Sequence, residues 1–107
     1  MTTVLAVDLG SASGRVLAGT LREGRLEVTD IHRFKHEARR RMDGTLTWDV
    51  ATMEAETING LTKALEQFPD ARAVSIDTWG VDWAPLDEDG RLVGDVIAYR
   101  DERTSRT

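Results

Sequence analysis

Residues 4–15 read VLAVDLGSASGR, an apolar run that ends in a carboxylate and passes directly into a loop of Gly, Ser and Ala. A second apolar run, VLAGTL, follows at residues 16–21. Small residues let backbone N–H groups approach an anion closely, and serine hydroxyls add donors, so the pattern is typical of a phosphate-binding loop. Asp8, at the end of the first run, offers the hard oxygen ligand that Mg²⁺ prefers. The stretch therefore predicts two strands joined by a phosphate loop, with a carboxylate on the metal side.

An ordinary hairpin turn would use the same residue types, so both interpretations stay open at this point. Two better-known phosphate loops are excluded. The G-x-x-x-x-G-K-[ST] pattern of the P-loop is absent. A Rossmann turn is excluded because β-branched and aliphatic residues follow Gly14, where an amphipathic helix would have to begin.

Size and charge narrow the class of protein. With 107 residues, 40% hydrophobic and 31% charged, the chain suits one small soluble domain with one core. Nineteen acidic residues against 14 basic ones give a net charge of -5, which argues against nucleic acid and anionic membranes as partners. The sequence has no cysteine and no apolar run of membrane-spanning length. We therefore expect a cytoplasmic protein without disulfides or thiolate metal sites.

The first third of the chain favours an antiparallel unit of three strands. Residues 4–8, 15–21 and 26–34 carry the apolar content of strands. Ile31 breaks the alternation of the third strand, which predicts a bulge or bend near Thr29-Asp30.

A helix and a second set of extended segments follow. Asp49 suits an N-cap, apolar residues recur at helical spacing from Val50 to Phe68, and Pro69 ends the pattern. Residues 73–77 form another strand that ends in a carboxylate. The remaining extended segments, 81–86 and 92–98, flank an acidic turn and predict a hairpin.

This order predicts an α/β fold in which the helix lets residues 73–77 lie parallel to the first strand. Asp8, Asp77 and the Trp79-Gly80 break would then face one cleft at the carboxyl ends of the strands, where α/β sheets commonly bind ligands. The run Arg39-Arg40-Arg41 is interpreted as a solvated loop. His32 and His36 are interpreted as surface or strand-edge histidines, too isolated for a metal site.

Three segments, in order, resemble the FGGY-type carbohydrate kinases, which have a ribonuclease-H-like, actin-like ATPase fold. DLGSASGR at residues 8–15 resembles their phosphate-1 loop, with SAS where ASS is common, which moves one hydroxyl by a position. IDTWGVDW at 76–83 is similar to the sugar-contacting segment of the rhamnulokinase branch, and AYRDERT at 98–104 matches a third segment. IHRF at 31–34 and TWD at 47–49 add to a resemblance that covers essentially the whole chain.

The resemblance implies a kinase that uses ATP and Mg²⁺ to form L-rhamnulose 1-phosphate. It also implies that residues 1–107 are the first part of the N-terminal actin-like domain of a longer, two-domain protein. Asp8 would hold the metal through water. The phosphates would lie against Ser11, Ala12, Ser13, Gly14 and Arg15. The sugar would contact Trp79, Gly80, Asp82, Tyr99, Arg100 and Asp101.

Plainer roles stay open beside these. Arg15 equally suits a strand residue paired with a neighbour, Trp79 and Trp83 suit core aromatics, and Arg100-Asp101 suits a surface ion pair. In this family the catalytic base and the adenosine site lie beyond these segments. The resemblance therefore implies that the 107 residues alone are inactive, with exposed apolar surfaces that favour self-association.

Three other functions compete with this one. The first is an FGGY kinase for another sugar, such as xylulose or glycerol. The second is a non-catalytic actin-like module that binds nucleotide. The third is a structural domain with accidental motifs.

Overall fold

Two sheets and one helix make up the regular structure of residues 1–98, the part of the chain that the computed structural model describes. The strands and the helix are, in chain order, β1 (Thr2–Leu9), β2 (Ser13–Arg22), β3 (Arg25–Lys35), β4 (Arg39–Arg40), β5 (Leu46–Trp48), α1 (Val50–Gln67), β6 (Val74–Thr78) and β7 (Val96–Ile97).

The larger sheet has the strand order β3-β2-β1-β6. Strands β1, β2 and β3 pair antiparallel, and β6 pairs parallel to β1 after the crossover through α1. This confirms the predicted antiparallel unit and the parallel fourth strand. Asp8 and Asp77 are Cα partners in the β1–β6 register, so both strands end at the same edge of the sheet.

The register between β2 and β3 shifts between Val16 and Leu17, which pair with His32 and Asp30. Ile31 is the extra residue, so the bulge lies next to the predicted Thr29-Asp30 position. Leu26 and Val28, before the bulge, are exposed. Beyond it, Phe34 is buried. The bulge therefore changes which face of the sheet the second half of β3 presents.

Helix α1 begins and ends where the sequence indicates. Asp49 caps it by accepting hydrogen bonds from the backbone N–H and the hydroxyl of Thr52 at 3.1 and 2.7 Å. The helix packs closely on the sheet because Gly60 has no side chain. A Cβ there would lie 3.1 Å from Val16 Cβ and closer still to one of its methyl groups. Together with Ala64, this allows the helix to cover a core of four buried sheet residues: Leu5, Val7, Val16 and Ala18.

The smaller sheet has the strand order β4-β5-β7 and differs in part from the sequence prediction. Residues 81–86 are not a regular strand. Their hairpin with the following segment consists of one bridge, Leu86 to Leu92, around a turn in which Asp87 N–H donates to the Arg91 carbonyl at 2.8 Å. Pro85 has no N–H to extend the ladder, and Gly94, at φ +78°, redirects the chain so that β7 pairs with β5 instead.

The arginine run is exposed, as expected, but part of it is a strand rather than a loop. Arg39 contacts Asp49 at 2.9 Å, and Arg41 contacts Asp43 at 2.9 Å and Asp95 at 3.2 Å. Neighbouring carboxylates thus pair with these two arginines. No basic patch aimed at a partner follows from the run.

Large apolar side chains are exposed on both outer strands of the larger sheet. On β3, Leu26 and Val28 are 65% and 61% exposed on the face opposite α1. On the edge strand β6, Val74 and Ile76 are 53% and 57% exposed, and because they pair in register with Leu5 and Val7 they lie on the same face as α1. As for membranes, the described part of the chain has no helix whose length and hydropathy would let it cross a bilayer.

Candidate functional site

The turn between β1 and β2 brings the predicted phosphate loop to the edge where β6 also ends. Leu9 and Gly14 are paired at the ends of the two strands, and Gly10 N–H donates to the Ser13 carbonyl at 2.8 Å. The loop is therefore short and closed by its own backbone. Ser11 is partly buried, whereas Ala12 and Ser13 are exposed. A short loop at the carboxyl ends of parallel strands is well placed to receive an anion.

Asp8 lies one residue before the end of β1, with its side chain 46% exposed, and Nε of Arg15 donates to its Oδ2 at 3.0 Å. Arg15 thus pairs with a neighbouring carboxylate across the hairpin, which is the plainer of its two predicted roles. The pair is partly solvated, so the attraction is weak enough to exchange for another anion. Arg15 lies directly after the loop, and its predicted contact with a phosphate stays a prediction.

Asp8 and Asp77 suit a magnesium ion that is bound mainly by water and phosphate oxygens, as in many nucleotide enzymes. Asp8 and Asp77 are partners in register. Within residues 1–98, no three His, Asp or Glu side chains cluster as a metal cage would require. Mg²⁺ in phosphate-handling sites commonly takes one or two carboxylates and completes its shell with waters and substrate phosphates. Asp8, with Asp77 next to it, matches that donor set.

The absence of a side chain at Gly14 is needed for packing beneath the loop, and its predicted contact with a phosphate stays a prediction. Gly14 is buried, and a Cβ there would lie 2.5 Å from Cε1 of Phe34 and closer still to Cζ. The Phe34 ring therefore occupies the space that a side chain at position 14 would fill. Because the ring supports the start of β2, Phe34 belongs to the site although the sequence pattern marked it only as part of β3.

His36 lies beside the phosphate loop, a position that its interpretation as a surface or strand-edge histidine did not predict. Its Nε2 lies 2.6 Å from the Gly10 carbonyl oxygen, and its backbone N–H donates to the Ala12 carbonyl at 3.2 Å. The pairing register of β2 and β3 is the signal that would have placed His36 beside the loop. Ser13 pairs with Lys35 at the end of β3, so the next residue has to lie beside the loop.

An aromatic cluster, formed by Phe34, His36, Trp48 and Trp79, extends from the loop toward residues 79–83, the segment predicted to contact the sugar. The His36 ring centroid lies 5.5 Å from that of Trp79 and 5.7 Å from that of Trp48, and the two indoles are 4.9 Å apart. These separations are typical of favourable aromatic pairs. Trp79 is therefore part of a packed aromatic cluster and is at the same time only partly buried, while its predicted contact with the sugar stays a prediction.

Asp82 holds the two indoles together. Its Oδ2 accepts the N–H of Trp48 at 2.7 Å and also the N–H of Trp79. A carboxylate offers about four lone-pair positions on two oxygens, so this leaves acceptor capacity for a ligand hydroxyl. The partly buried Asp82 is thus oriented by the cluster.

The segment between Trp79 and Trp83 presents open backbone. Nothing would lie within 4 Å of a Cβ at Gly80, which leaves room for a ligand to approach. The unusual conformation lies one residue later, because Val81 has φ +66°, a region that β-branched residues rarely adopt. Trp83 is 72% exposed, so the core interpretation of this residue is wrong. Tyr99, Arg100 and Asp101 lie outside the described residues.

A groove of about 900 Å³ opens beside the loop. Ser11, Ala12 and His36 line one end of it, and Asp49 and Thr52, at the start of α1, line the other. Lys35 also lines it, which brings a cation close to the loop. The groove therefore combines small-residue backbone with a nearby positive charge, which suits a phosphate, whereas Asp8 and Asp77 are not among the residues that line it.

Comparison with known proteins gives the same assignment as the motifs. Rhamnulokinase of Bacillus subtilis (strain 168) is 40% identical over 102 residues, which cover 95% of this chain and 21% of that protein. Rhamnulokinase of Klebsiella pneumoniae (strain 342) is 44% identical over 102 residues, with 94% and 21% covered. No protein-family model matches the chain.

The fold is shared with solved sugar kinases. The crystal structure of xylulose kinase from Rhodospirillum rubrum superposes with a TM-score of 0.73 over 94% of this chain and 21% of that one, at 17% identity. This likeness shows an actin-like ATPase fold. The chain spans about a fifth (21%) of the length of the rhamnulokinases it matches, and over that stretch it is homologous to them.

Proposed function

We propose that residues 1–107 are the first part of the N-terminal actin-like domain of a cytoplasmic L-rhamnulose kinase. The complete protein would transfer the γ-phosphoryl group of ATP to the 1-hydroxyl of L-rhamnulose, giving L-rhamnulose 1-phosphate and ADP. The observation that carries the proposal is the 40–44% identity to rhamnulokinases across at least 94% of the chain. The adjacent ends of β1 and β6, with Asp8 beside Asp77, supply a site at which that chemistry is physically reasonable.

On the nucleotide side, the loop would hold the phosphates through its backbone. Residues 11–14 provide backbone N–H groups at the tip of the hairpin, and the hydroxyls of Ser11 and Ser13 add donors. Arg15 would turn from Asp8 toward a phosphate oxygen as the negative charge of the ligand arrives. Exchange of one anion for another at a half-exposed guanidinium costs little.

Asp8 would hold Mg²⁺ through water, with Asp77 as the second carboxylate. The metal ion would supply neutralisation of the phosphate charge that builds up during transfer. The task left to this chain is then to orient the phosphates and to hold Asp8 and Asp77 away from the sugar. The pairing register of β1 and β6 fixes the positions of Asp8 and Asp77 relative to each other.

On the sugar side, Trp79, Gly80 and Asp82 would contact the acceptor. An indole face suits the apolar face of a sugar ring, Gly80 admits close approach, and the remaining acceptor positions of Asp82 suit sugar hydroxyls. We also include Tyr99, Arg100 and Asp101 in the proposal, on the resemblance alone. The base that takes the proton of the acceptor hydroxyl would come from a part of the protein beyond this chain.

A kinase for another sugar is the second candidate. It is favoured by the fold shared with the Rhodospirillum rubrum xylulose kinase at a TM-score of 0.73. The 17% identity of that pair is far below the 40–44% identity to rhamnulokinases, so we rank it second. A non-catalytic nucleotide-binding module would have no use for Trp79, Gly80 and Asp82 as a polyol site.

The deciding experiment is a substrate panel on the complete protein that contains this chain. L-Rhamnulose, D-xylulose and glycerol are each incubated with ATP, with and without Mg²⁺, and ADP release is coupled to identification of the phosphorylated sugar. We expect Mg²⁺-dependent turnover with the highest kcat/KM for L-rhamnulose, and no turnover by residues 1–107 alone. Preference for xylulose or glycerol would establish the second candidate. Nucleotide binding without transfer to any sugar would favour the non-catalytic module.

A further inference from the structure

We propose that His36 is a positioning residue that couples the phosphate loop to the sugar-side aromatic cluster, so that the two substrates bind cooperatively through it. This inference rests on the proposed function and adds to it a residue and a property that the motifs do not contain. It is carried by the position of one imidazole between the two sites, which are also joined by the backbone hydrogen bond from Trp79 N–H to the Leu9 carbonyl at 3.0 Å.

The loop-side contact is a hydrogen bond to the backbone of the phosphate loop. A carbonyl oxygen only accepts, so Nε2 of His36 carries the proton that it donates to Gly10 at 2.6 Å. The backbone N–H of the same residue donates to Ala12 at 3.2 Å. His36 therefore holds the loop at two points, on either side of Ser11. A loop held in this way has less freedom to lose when it binds an anion.

The sugar-side contact is made by the faces and edges of rings. The imidazole lies 5.5 Å from Trp79 and 5.7 Å from Trp48, measured between ring centroids. Both indole N–H groups reach the same Asp82 oxygen. A shift of Trp79 on sugar binding would therefore move or tighten the His36 ring, and with it the Gly10 carbonyl. Coupling between two sites requires such a contiguous set of contacts with differential energy in the two ligation states.

The other histidine provides a matched control. Nε2 of His32 contacts Glu56 at 2.9 Å, and its Nδ1 lies 3.1 Å from Lys63 Nζ. Both partners are on α1, away from the loop and from Asp82. Loss of the His32 imidazole would remove a contact between β3 and α1 without touching the phosphate loop or the indoles.

The two contacts of His36 are separable by substitution. His36→Phe keeps an aromatic ring for the indoles and removes the donor to Gly10. His36→Gln keeps an amide N–H donor of similar reach and removes the ring. His32→Gln is the control. Each variant of the complete protein is first checked for folding by circular dichroism.

The test measures the Kd of Mg²⁺ with a non-hydrolysable ATP analogue, by calorimetry, with and without saturating L-rhamnulose. Tryptophan emission is recorded in the same titrations. In the wild type we expect the sugar to tighten nucleotide binding by about fivefold or more, the lower end of typical allosteric coupling. We expect His36→Phe to abolish this enhancement and lower kcat more than it raises the KM for sugar. His36→Gln should restore part of the enhancement, and His32→Gln should leave it unchanged.

The outcomes separate the two proposals. A wild type that binds the nucleotide but shows no enhancement, or an enhancement that survives in both His36 variants, overturns the coupling role and leaves the kinase assignment standing. A wild type that phosphorylates none of the sugars overturns the proposed function. If that protein also fails to bind the nucleotide analogue, the coupling role is overturned with it.

Discussion

Asp8 and Asp77 occupy the same register position on the neighbouring parallel strands β1 and β6. The two carboxylates lie at the same level along their strands, so any difference in their roles has to come from their surroundings. Asp8 is paired with Arg15 at the mouth of the phosphate loop, whereas Asp77 leads into the sugar-side segment. This asymmetry supports the proposal that Asp8 makes the principal metal contact.

Asp8→Asn in the complete protein should weaken Mg²⁺-dependent nucleotide binding at least tenfold, about 1.4 kcal/mol, because the amide removes the charge that holds the metal. Calorimetric titration of a Mg²⁺–ATP analogue measures the change. Asp70→Asn, an exposed aspartate after α1, is the matched control and should bind as the wild type does. Equal effects of the two substitutions would contradict the metal role of Asp8.

Asp82→Ala should destabilise the protein by about 1–3 kcal/mol, because two indole N–H groups lose their shared acceptor. Asp82→Asn retains an amide oxygen and should cost less. Chemical denaturation followed by tryptophan emission measures both changes. Glu88→Ala, at an exposed position in the nearby turn, controls for loss of a carboxylate. Equal stability of the Asp82→Ala variant and this control would show that the indoles do not depend on Asp82.

Gly60→Ala should destabilise the fold although alanine favours helices over glycine by about 1 kcal/mol. The new Cβ would collide with Val16 beneath the helix, and overpacking of this kind costs about 1–3 kcal/mol. Thermal unfolding of the 107-residue chain measures the difference. Asn59→Ala, on the exposed part of the same helix turn, gains helix propensity without a collision and should raise the melting temperature. A stabilised Gly60→Ala variant would mean that α1 does not sit as close to β2 as described.

Asp49 should make a pH-dependent contribution to stability. The hydrogen bonds from the side chain and backbone of Thr52, aided by the charge of Arg39, lower the pKa of Asp49 in the folded state. A lowered folded-state pKa means that the contribution is present above the unfolded-state value of about 3.9 and is lost as pH falls through the folded value. The difference in melting temperature between wild type and Asp49→Asn should therefore shrink from about pH 6 to about pH 3. A difference that stays constant over this range would contradict the capping role.

The exposed sheet face should make the isolated 107 residues self-associate. Leu26 and Val28 on this face are more than half exposed, and apolar patches of this kind drive association. Light scattering over a range of concentrations measures it. Leu26→Gln should reduce the association, whereas Glu27→Gln, at the next position on the same strand, should not. A chain that stays strictly monomeric at all concentrations would contradict the prediction that this exposed face drives association.

The local patterns that determine the elements were readable from the sequence. Asp49 followed by the spacing from Val50 to Phe68 fixed the helix to within a residue, and Ile31 marked the bulge because the strand period of two fails there. The sequence prediction made the hairpin that begins at residues 81–86 longer and more regular than it is. Its apolar content suits a strand, but Pro85 and Gly94 limit the ladder, and β5 competes for the pairing partner.

The site was readable only where it lies in one segment. Asp8 and the loop form a contiguous motif, and the crossover rule brings Asp77 beside them. His36 escaped because its meaning depends on the pairing of Ser13 with Lys35, a contact between segments that no local pattern encodes. The assignment of Trp48 to the same cluster depends in the same way on tertiary packing.

The bulge at Ile31 makes the length of β3 as important as its composition. Ile31 packs on the helix-side core, the His32 Cβ lies near Gly60, and Phe34 supports Gly14. Removing one residue would restore strict alternation and send Phe34 to the solvent side, with no change in residues 8–15 or 76–83. A single-codon deletion in this strand would thus be read as harmless by a motif search while it disconnects the loop from its support. Alignment gaps and loop grafts should be placed outside residues 30–32 for the same reason.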